Sequence, residues 1–262
     1  MQKKFLALII LVVVVPSVMI GMNYIRDQNK PWEEEYPPPS EYQQTEEQAL
    51  HLTEEEIENI LTLHIIDETD KEAAEVLESP PEPVSYPPIN ITKVSFGVSE
   101  GYLYVKFEFL GKLPTEKEEP VTKITIGILM DKDCNYSTGW MGIDVNIGLE
   151  IEWDEDGQLI YGVGMIYDIP DMPNMEDEDA AMHAGKYMDL SYAGGPGTNY
   201  LIIEIPMDVL GLQSGLQVIL DIHAEAESPE YHHYAFDALK NSQYNYDNPE
   251  QPYGEALKIT IP

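Results

Sequence analysis

From Ile89 to the C-terminus, apolar and polar residues alternate with a period of two, again and again, between turn signals. Leu103, Val105, Phe107 and Phe109 alternate with Tyr102, Tyr104, Lys106 and Glu108. Ile124, Ile126, Ile128 and Met130 make a second apolar stripe. Val145, Ile147, Leu149, Ile151 and Trp153 make a third, followed by Leu159, Tyr161, Val163 and Met165. Leu201, Ile203 and Ile205, then Leu216, Val218, Leu220 and Ile222, and finally Leu257, Ile259 and Ile261 complete the set. A period of two puts one face of each strand into a core and leaves the other wet, which implies antiparallel sheets. Glu155-Asp156-Gly157 reads as a hairpin turn. About eight to ten strands with hardly any helix predict an all-β domain, an antiparallel β-sandwich of jelly-roll or immunoglobulin-like kind. Pro206 to Leu212 has room for one helical turn.

The N-terminal part differs. Lys3 and Lys4 precede an uncharged run of 21 residues, Phe5 to Ile25. As a helix it would be about 30 Å long, enough to cross a bilayer core. A cleaved signal peptide is the alternative, but Pro16-Ser17-Val18-Met19-Ile20-Gly21-Met22 poorly matches a cleavage site. Residues 1–26 are therefore read as a membrane anchor. Lysines at the start and Glu33, Glu34 and Glu35 soon after the run favour a single-pass topology with the bulk outside the cell. Cleavage would make the protein secreted.

Residues 27–61 read as an acidic, proline-rich tether with a short helix near 53–62, because Thr53-Glu54-Glu55-Glu56 has the capping-box pattern. Residues 62–262 are read as the sandwich. Leu63 and Ile65 suit either the helix end or a first strand. The prolines of 79–88 form a rigid connector.

Charge excludes some partners. The chain has 48 Asp and Glu against 14 Lys and Arg, a net charge of −34. Everything beyond Arg26 carries all 48 acids and 14 − 3 = 11 lysines, or −37. Such a surface repels nucleic acid and attracts cations. The lone Cys134 excludes a disulfide scaffold and a cysteine-rich metal site.

One loop concentrates chemistry. Asp131, Asp133 and Asn135 alternate where a strand leaves the core, followed by Ser137-Thr138-Gly139. Oxygens two residues apart in a turning loop can converge on a hard cation, and calcium tolerates irregular oxygen shells. The loop is not an EF-hand, since Tyr136 stands at its sixth position and Gly142 at its twelfth. Asp144 could supply a late carboxylate. The plain alternative is a polar turn whose Asx side chains cap backbone amides. Asn135-Tyr136-Ser137 is also a glycosylation sequon, as is Asn90-Ile91-Thr92.

The stretches PPINITKVSFGVSEGYLYVKFEF (87–109) and ITIGILMDKDCNYSTGWMGIDVNIGLE (124–150) resemble the DOMON-like and family 9 carbohydrate-binding-module-like β-sandwich domains. IPMDVLGLQSG (205–215) and YHHYAFDALK (231–240) fit their closing strands. The similarity covers roughly residues 62–262, and its most specific part is the Asp131–Gly139 loop. It implies a binding or accessory module of a surface protein, with a carbohydrate, haem or another small molecule as ligand. Tyr136 and Trp140 are the aromatic candidates for a sugar platform beside that loop. The paired-tryptophan clamp of true family 9 sugar modules is not evident.

Other constellations point less far. His223, His232 and His233, with Glu225 or Asp237, could hold a transition metal, or could be structural. The acids Asp168, Asp171, Glu176, Asp177, Glu178 and Asp179 fall in a proline- and methionine-rich insertion that reads as a solvated loop. The chain has no Gly-x-Ser-x-Gly, His-Glu-x-x-His or phosphate-loop pattern, and it reads as non-catalytic. The expectation is an anchored extracellular module that binds carbohydrate around a calcium-supported loop. The alternative is a structural or partner-binding subunit of a cell-surface complex.

Overall fold

The computed structural model describes residues 50–67, 80, 84–140, 142–154, 156–157, 159–169, 186–239 and 256–262. The Phe5–Ile25 run, most of the proline tether and connector, and the acidic insertion beyond Ile169 lie outside them. Among the described residues, no helix is long and apolar enough to cross a membrane.

The fold is all-β and antiparallel, as the stripes predict. Its strands are β1 (Leu63–Ile66), β2 (Ile91–Ser99), β3 (Tyr102–Phe109), β4 (Lys123–Asp131), β5 (Val145–Trp153), β6 (Leu159–Asp168), β7 (Lys186–Asp189), β8 (Ser191–Gly194), β9 (Tyr200–Pro206), β10 (Gln217–Glu227), β11 (Ala235–Ala238) and β12 (Leu257–Thr260). One sheet of five strands runs β1-β2-β3-β9-β8. The other, of seven, runs β11-β10-β4-β5-β6-β7, with β12 also pairing β10. The strands beyond the expected number are mostly four-residue edge segments, such as β7, β8 and β11, too short to show a period.

The apolar stripes of both sheets share one core, in which Phe96, Val105, Phe107, Ile126, Ile147, Ile203 and Leu220 are all buried. Trp153 is part of it, as its stripe predicts. Between β5 and β6 the Gly157 amide donates to the Asp154 carbonyl at 3.0 Å. A single helical turn, α2 (Met207–Leu210), follows β9.

Helix α1 (Glu54–Ile60) forms where its capping box predicts. The Thr53 side chain accepts from the Glu56 amide, and the Glu56 carboxylate accepts from the Thr53 backbone N–H. The helix ends at Ile60, and Leu63–Ile66 becomes the first strand, paired with β2.

One expectation fails over β3 and β9. Their second face is not wet, because α1 lies on it. Ile57 and Leu61 pack there with Tyr104 and Ile202, and all four are buried. Gly97 lets the helix end approach, since a Cβ at that position would stand 2.5 Å from the Ile60 carbonyl oxygen. The helix assigned to the tether by sequence is thus built into the sandwich.

That face also holds a buried carboxylate. Glu204 of β9 is 3% exposed. It accepts the His51 backbone N–H at 2.8 Å and faces the His51 Nδ1 at 2.6 Å. The other imidazole nitrogen lies 3.1 Å from the Tyr102 hydroxyl, and the two rings stack. Burial first, and then the neighbouring Glu204 carboxylate, raise the pKa of the Tyr104 phenol. His51 therefore serves packing on Tyr102 and hydrogen bonding to Glu204, while His64 meets the Ser95 hydroxyl at 2.9 Å.

Candidate functional site

The seven-stranded sheet delivers the acidic loop. β4 pairs with β5 up to Met130 and Val145, so residues 131–144 form the connection at one end of the sheet. Asp131 closes β4 opposite Ile219 of β10, and Asp144 precedes β5. Asp144 is held at both backbone groups. Its amide donates to the Met130 carbonyl at 2.9 Å, and its carbonyl accepts from Ile169 at 2.7 Å.

Within the loop, Asx side chains cap amides as short polar turns do. The Asp131 Oδ1 accepts from the amides of Asp133 and Asn135, each at 3.2 Å. The Asp133 Oδ1 accepts from the Asn135 amide at 2.8 Å. Thr138 donates its hydroxyl toward the Asp133 carboxylate at 3.0 Å. The Asn135 side-chain oxygen accepts from the Ser137 amide at 3.2 Å. The turn half of the sequence reading is therefore present, and Asn135 is engaged in it.

The metal-ligand half rests on three carboxylates. Asp131, Asp133 and Asp144 each present an oxygen, all within 4.8 Å of one another. Asp131 and Asp144 are fully buried. The Asp144 Oδ2 accepts from the Lys132 amide at 2.8 Å. Its Oδ1 is enclosed and has no hydrogen-bond partner among the described residues. A buried carboxylate oxygen without a partner carries a large desolvation cost. Burial pushes the Asp144 carboxyl up to about 7, and Asp133 and Asp131 add to the rise against the Lys132 amide and ammonium. The Lys132 ammonium pairs with Asp168 at 3.1 Å. An all-oxygen set of this kind suits a hard divalent cation, and excludes neither calcium nor magnesium by donor type.

Glycine makes the close approach possible. Gly139 has φ +59°, and a Cβ there would stand 2.2 Å from the Ile143 carbonyl oxygen and 2.9 Å from Asp144 Oδ1. Gly139→Ala is expected to destabilise the protein by about 2 kcal/mol or more, through strain plus backbone collision. Gly211→Ala is the control. It shares a positive φ of 70° but meets nothing within 4 Å, so it should cost only about 1 kcal/mol. Chemical denaturation of the two variants checks the difference.

The candidate aromatics sit on the same loop in different roles. Trp140 is half-buried and packs against a small cluster of Ile143, Ile169 and Ile219. Trp140 and Ile143 also exchange backbone hydrogen bonds at 2.9 and 2.8 Å. Tyr136 is half-buried, and Gly142 leaves room for its ring, which a Cβ would approach to 3.0 Å. Cys134, at φ 54°, directs its thiol to the Gln217 carbonyl. Burial and the surrounding Asp131 and Asp133 raise its pKa, against a pull from Lys258, so it is a poor nucleophile.

The sequence missed the cluster of His51 with Glu204, and it showed only part of the pairing of the β10 carboxylates with histidines. The first spans 153 positions and left no local signal. The second was visible in part, as a histidine group with Glu225 or Asp237 beside it; the Asp237 carboxylate accepts the Ile91 backbone N–H. No protein-family model matches the chain, and no curated protein matches it either.

Proposed function

We propose that this protein is an exported, N-terminally anchored binding or accessory module whose β4–β5 loop is organised by calcium. The observation that carries the cation part is Asp144, buried with one carboxylate oxygen unpartnered among the described residues and facing two more acids. A cation there would offset both the desolvation and the like-charge repulsion. The exported part's charge of −37 concentrates divalent ions around it. Support for anchoring is the Phe5–Ile25 run behind Lys3 and Lys4, followed by a proline-rich acidic spacer.

The ligand proposed is carbohydrate, taken beside the loop that carries Tyr136 and Trp140, in line with the resemblance to DOMON-like and family 9 modules. A second reading is a partner-binding subunit of a surface complex. Trp140 favours it, because packing on Ile143, Ile169 and Ile219 leaves less of its ring for a sugar. Glycan arrays and polysaccharide pull-downs with the detergent-purified full chain test the choice. Binding that EGTA weakens is the expected result. Blank arrays, with a stoichiometric protein recovered from native membranes, would replace the carbohydrate reading by the second.

A further inference from the structure

The chain holds two Asn-x-Ser/Thr sequons, Asn90-Ile91-Thr92 and Asn135-Tyr136-Ser137, and the fold treats them oppositely. An N-linked glycan is bulky and hydrated, so its asparagine belongs on a surface loop with room around the side chain. Asn90 has no such place. It is half-buried between a 3-10 turn, Pro87–Ile89, and the start of β2. Its amide donates to the Pro87 carbonyl at 3.3 Å, and its carbonyl accepts from the Leu110 amide at 2.8 Å. Ile91 is 2% exposed and belongs to the core. The Thr92 hydroxyl donates to the Glu108 carbonyl of β3 at 2.9 Å, so the sequon is built into the sheet.

The second sequon lies in the β4–β5 loop. Asn135 and Ser137 are both exposed, with Tyr136 half-buried between them. Tyr136 turns inward against Gly142, which leaves its two neighbours outside. The Asn135 Oδ1 accepts from the Ser137 amide, an Asx turn that sets the acceptor residue beside the hydroxyl residue. That contact uses only the oxygen of the carboxamide. The Asn135 Nδ2 and the Ser137 hydroxyl have no hydrogen-bond partner among the described residues. The next hydroxyl, Thr138, is committed inside the loop, to the Asp133 carboxylate at 3.0 Å and the Asn135 carbonyl at 2.7 Å.

We propose that Asn135 carries an N-linked glycan and that Asn90 does not. The proposal rests on the exported reading above, because the donor and its transferase act on exported chains. The donor is a sugar joined through its C1 to a polyprenyl phosphate. The Asn135 Nδ2 forms the new bond to C1, and the bond from C1 to the phosphate oxygen breaks. The lipid phosphate leaves with that electron pair, and Nδ2 gives up one of its two protons to solvent. Nothing is oxidised or reduced.

The product keeps the Asn135 Oδ1 as an acceptor, so the Asx turn to Ser137 survives the attachment. The glycan and a cation also make separate demands on the loop. The three carboxylates that converge are those of Asp131, Asp133 and Asp144, and two of them are buried. Asn135 meets two of those acids only through its backbone amide, which donates to Asp131 at 3.2 Å and to Asp133 at 2.8 Å. Its side chain stands on the exposed rim, where a sugar adds no charge and displaces no carboxylate.

Peptide mass spectrometry of the full chain from its native source tests the assignment. The peptide that holds Asn135 should carry a saccharide mass on that residue, and the peptide that holds Asn90 should be bare. Ser137→Ala, expressed in the same host, removes the sequon hydroxyl but keeps the Asx turn, whose donor is a backbone amide. It should lose the saccharide mass completely, while Ser137→Thr keeps it, and circular dichroism should show both variants folded. Labelling of intact cells with a membrane-impermeant amine reagent reads export separately. A sandwich labelled only after lysis would overturn the exported reading and the glycan with it. An exported chain with a bare Asn135, a glycan on Asn90, or a saccharide mass that survives Ser137→Ala would overturn the glycan assignment alone.

Discussion

A chain that begins at Thr62 should melt far below one that begins at Gln44, although both hold every strand of the two sheets. The longer chain keeps α1, and with it the burial of Ile57 and Leu61 on Tyr104 and Ile202. Two aliphatic side chains contribute roughly 1.5–3 kcal/mol each. The His51–Glu204 contact adds about 1 kcal/mol more, kept small because His51 is half-exposed. Tyr200 also loses its hydrogen bond to Glu54, and Lys106 its pair with Glu58. The sum, about 5 kcal/mol, is a large share of the 5–15 kcal/mol that holds a typical domain. At about 2–4 °C per kcal/mol for a domain of this size, the melting temperature should drop by more than about 10 °C. Circular dichroism melts of the two fragments decide it, and coincident curves would show that α1 is dispensable. Ile57→Ala in the longer chain should reproduce part of the loss, about 2–5 kcal/mol. Ile66→Ala, at a residue 54% exposed, should stay within about 0.5 kcal/mol.

The same face shows where the sequence stops being legible. A period of two assigns inward and outward faces within a strand, so Leu103, Val105 and Phe107 could be placed in the core without a structure. It cannot say what covers the outward face. Tyr104 and Ile202 sit in positions that the alternation marks as wet, flanked by Lys106 and Glu204. They are buried because a helix far upstream in the chain lies over them. That helix was itself legible, because a capping box is a local pattern of four residues. Its destination was not, because docking depends on long-range fit with Gly97 and on a carboxylate 153 positions from His51.

The acidic loop divides in the same way. Asp131, Asp133 and Asn135 are close in sequence, and their spacing alone indicated converging oxygens or an Asx turn. The structure has the turn, in which the side chain of Asn135 takes part. Asp144 was a distant fourth candidate on spacing. Its burial arises because β5 starts immediately after it while the Met130 carbonyl and the Ile169 amide clamp its backbone. Those partners come from β4 and from the far end of β6, so no window of sequence contains them.

Asp144→Asn provides the sharpest test of that residue, because the charge and the cation predict opposite responses. In metal-free protein, Asp144 Oδ1 is enclosed beside Asp131 and Asp133. Replacing it with an amide nitrogen removes a buried charge and supplies N–H donors to the facing carboxylates. Relief of an unpartnered buried acceptor is worth about 1–3 kcal/mol, so the metal-free variant should be more stable than the wild type. Calcium reverses the order. Wild-type protein with calcium at about 1,000 times its dissociation constant gains roughly 4 kcal/mol, or about 10 °C in melting temperature. The variant lacks one of three carboxylates and should gain little. Asp133→Ala should also abolish the rise, but without the metal-free gain, because Asp133 is exposed. Asp156→Asn, in the exposed β5–β6 turn, should leave both curves in place. Differential scanning calorimetry with EGTA and with added calcium reads all four proteins. A wild type that melts at the same temperature with and without calcium would leave Asp131, Asp133 and Asp144 as an acidic turn. A variant that gains as much from calcium as the wild type would move the ion away from Asp144.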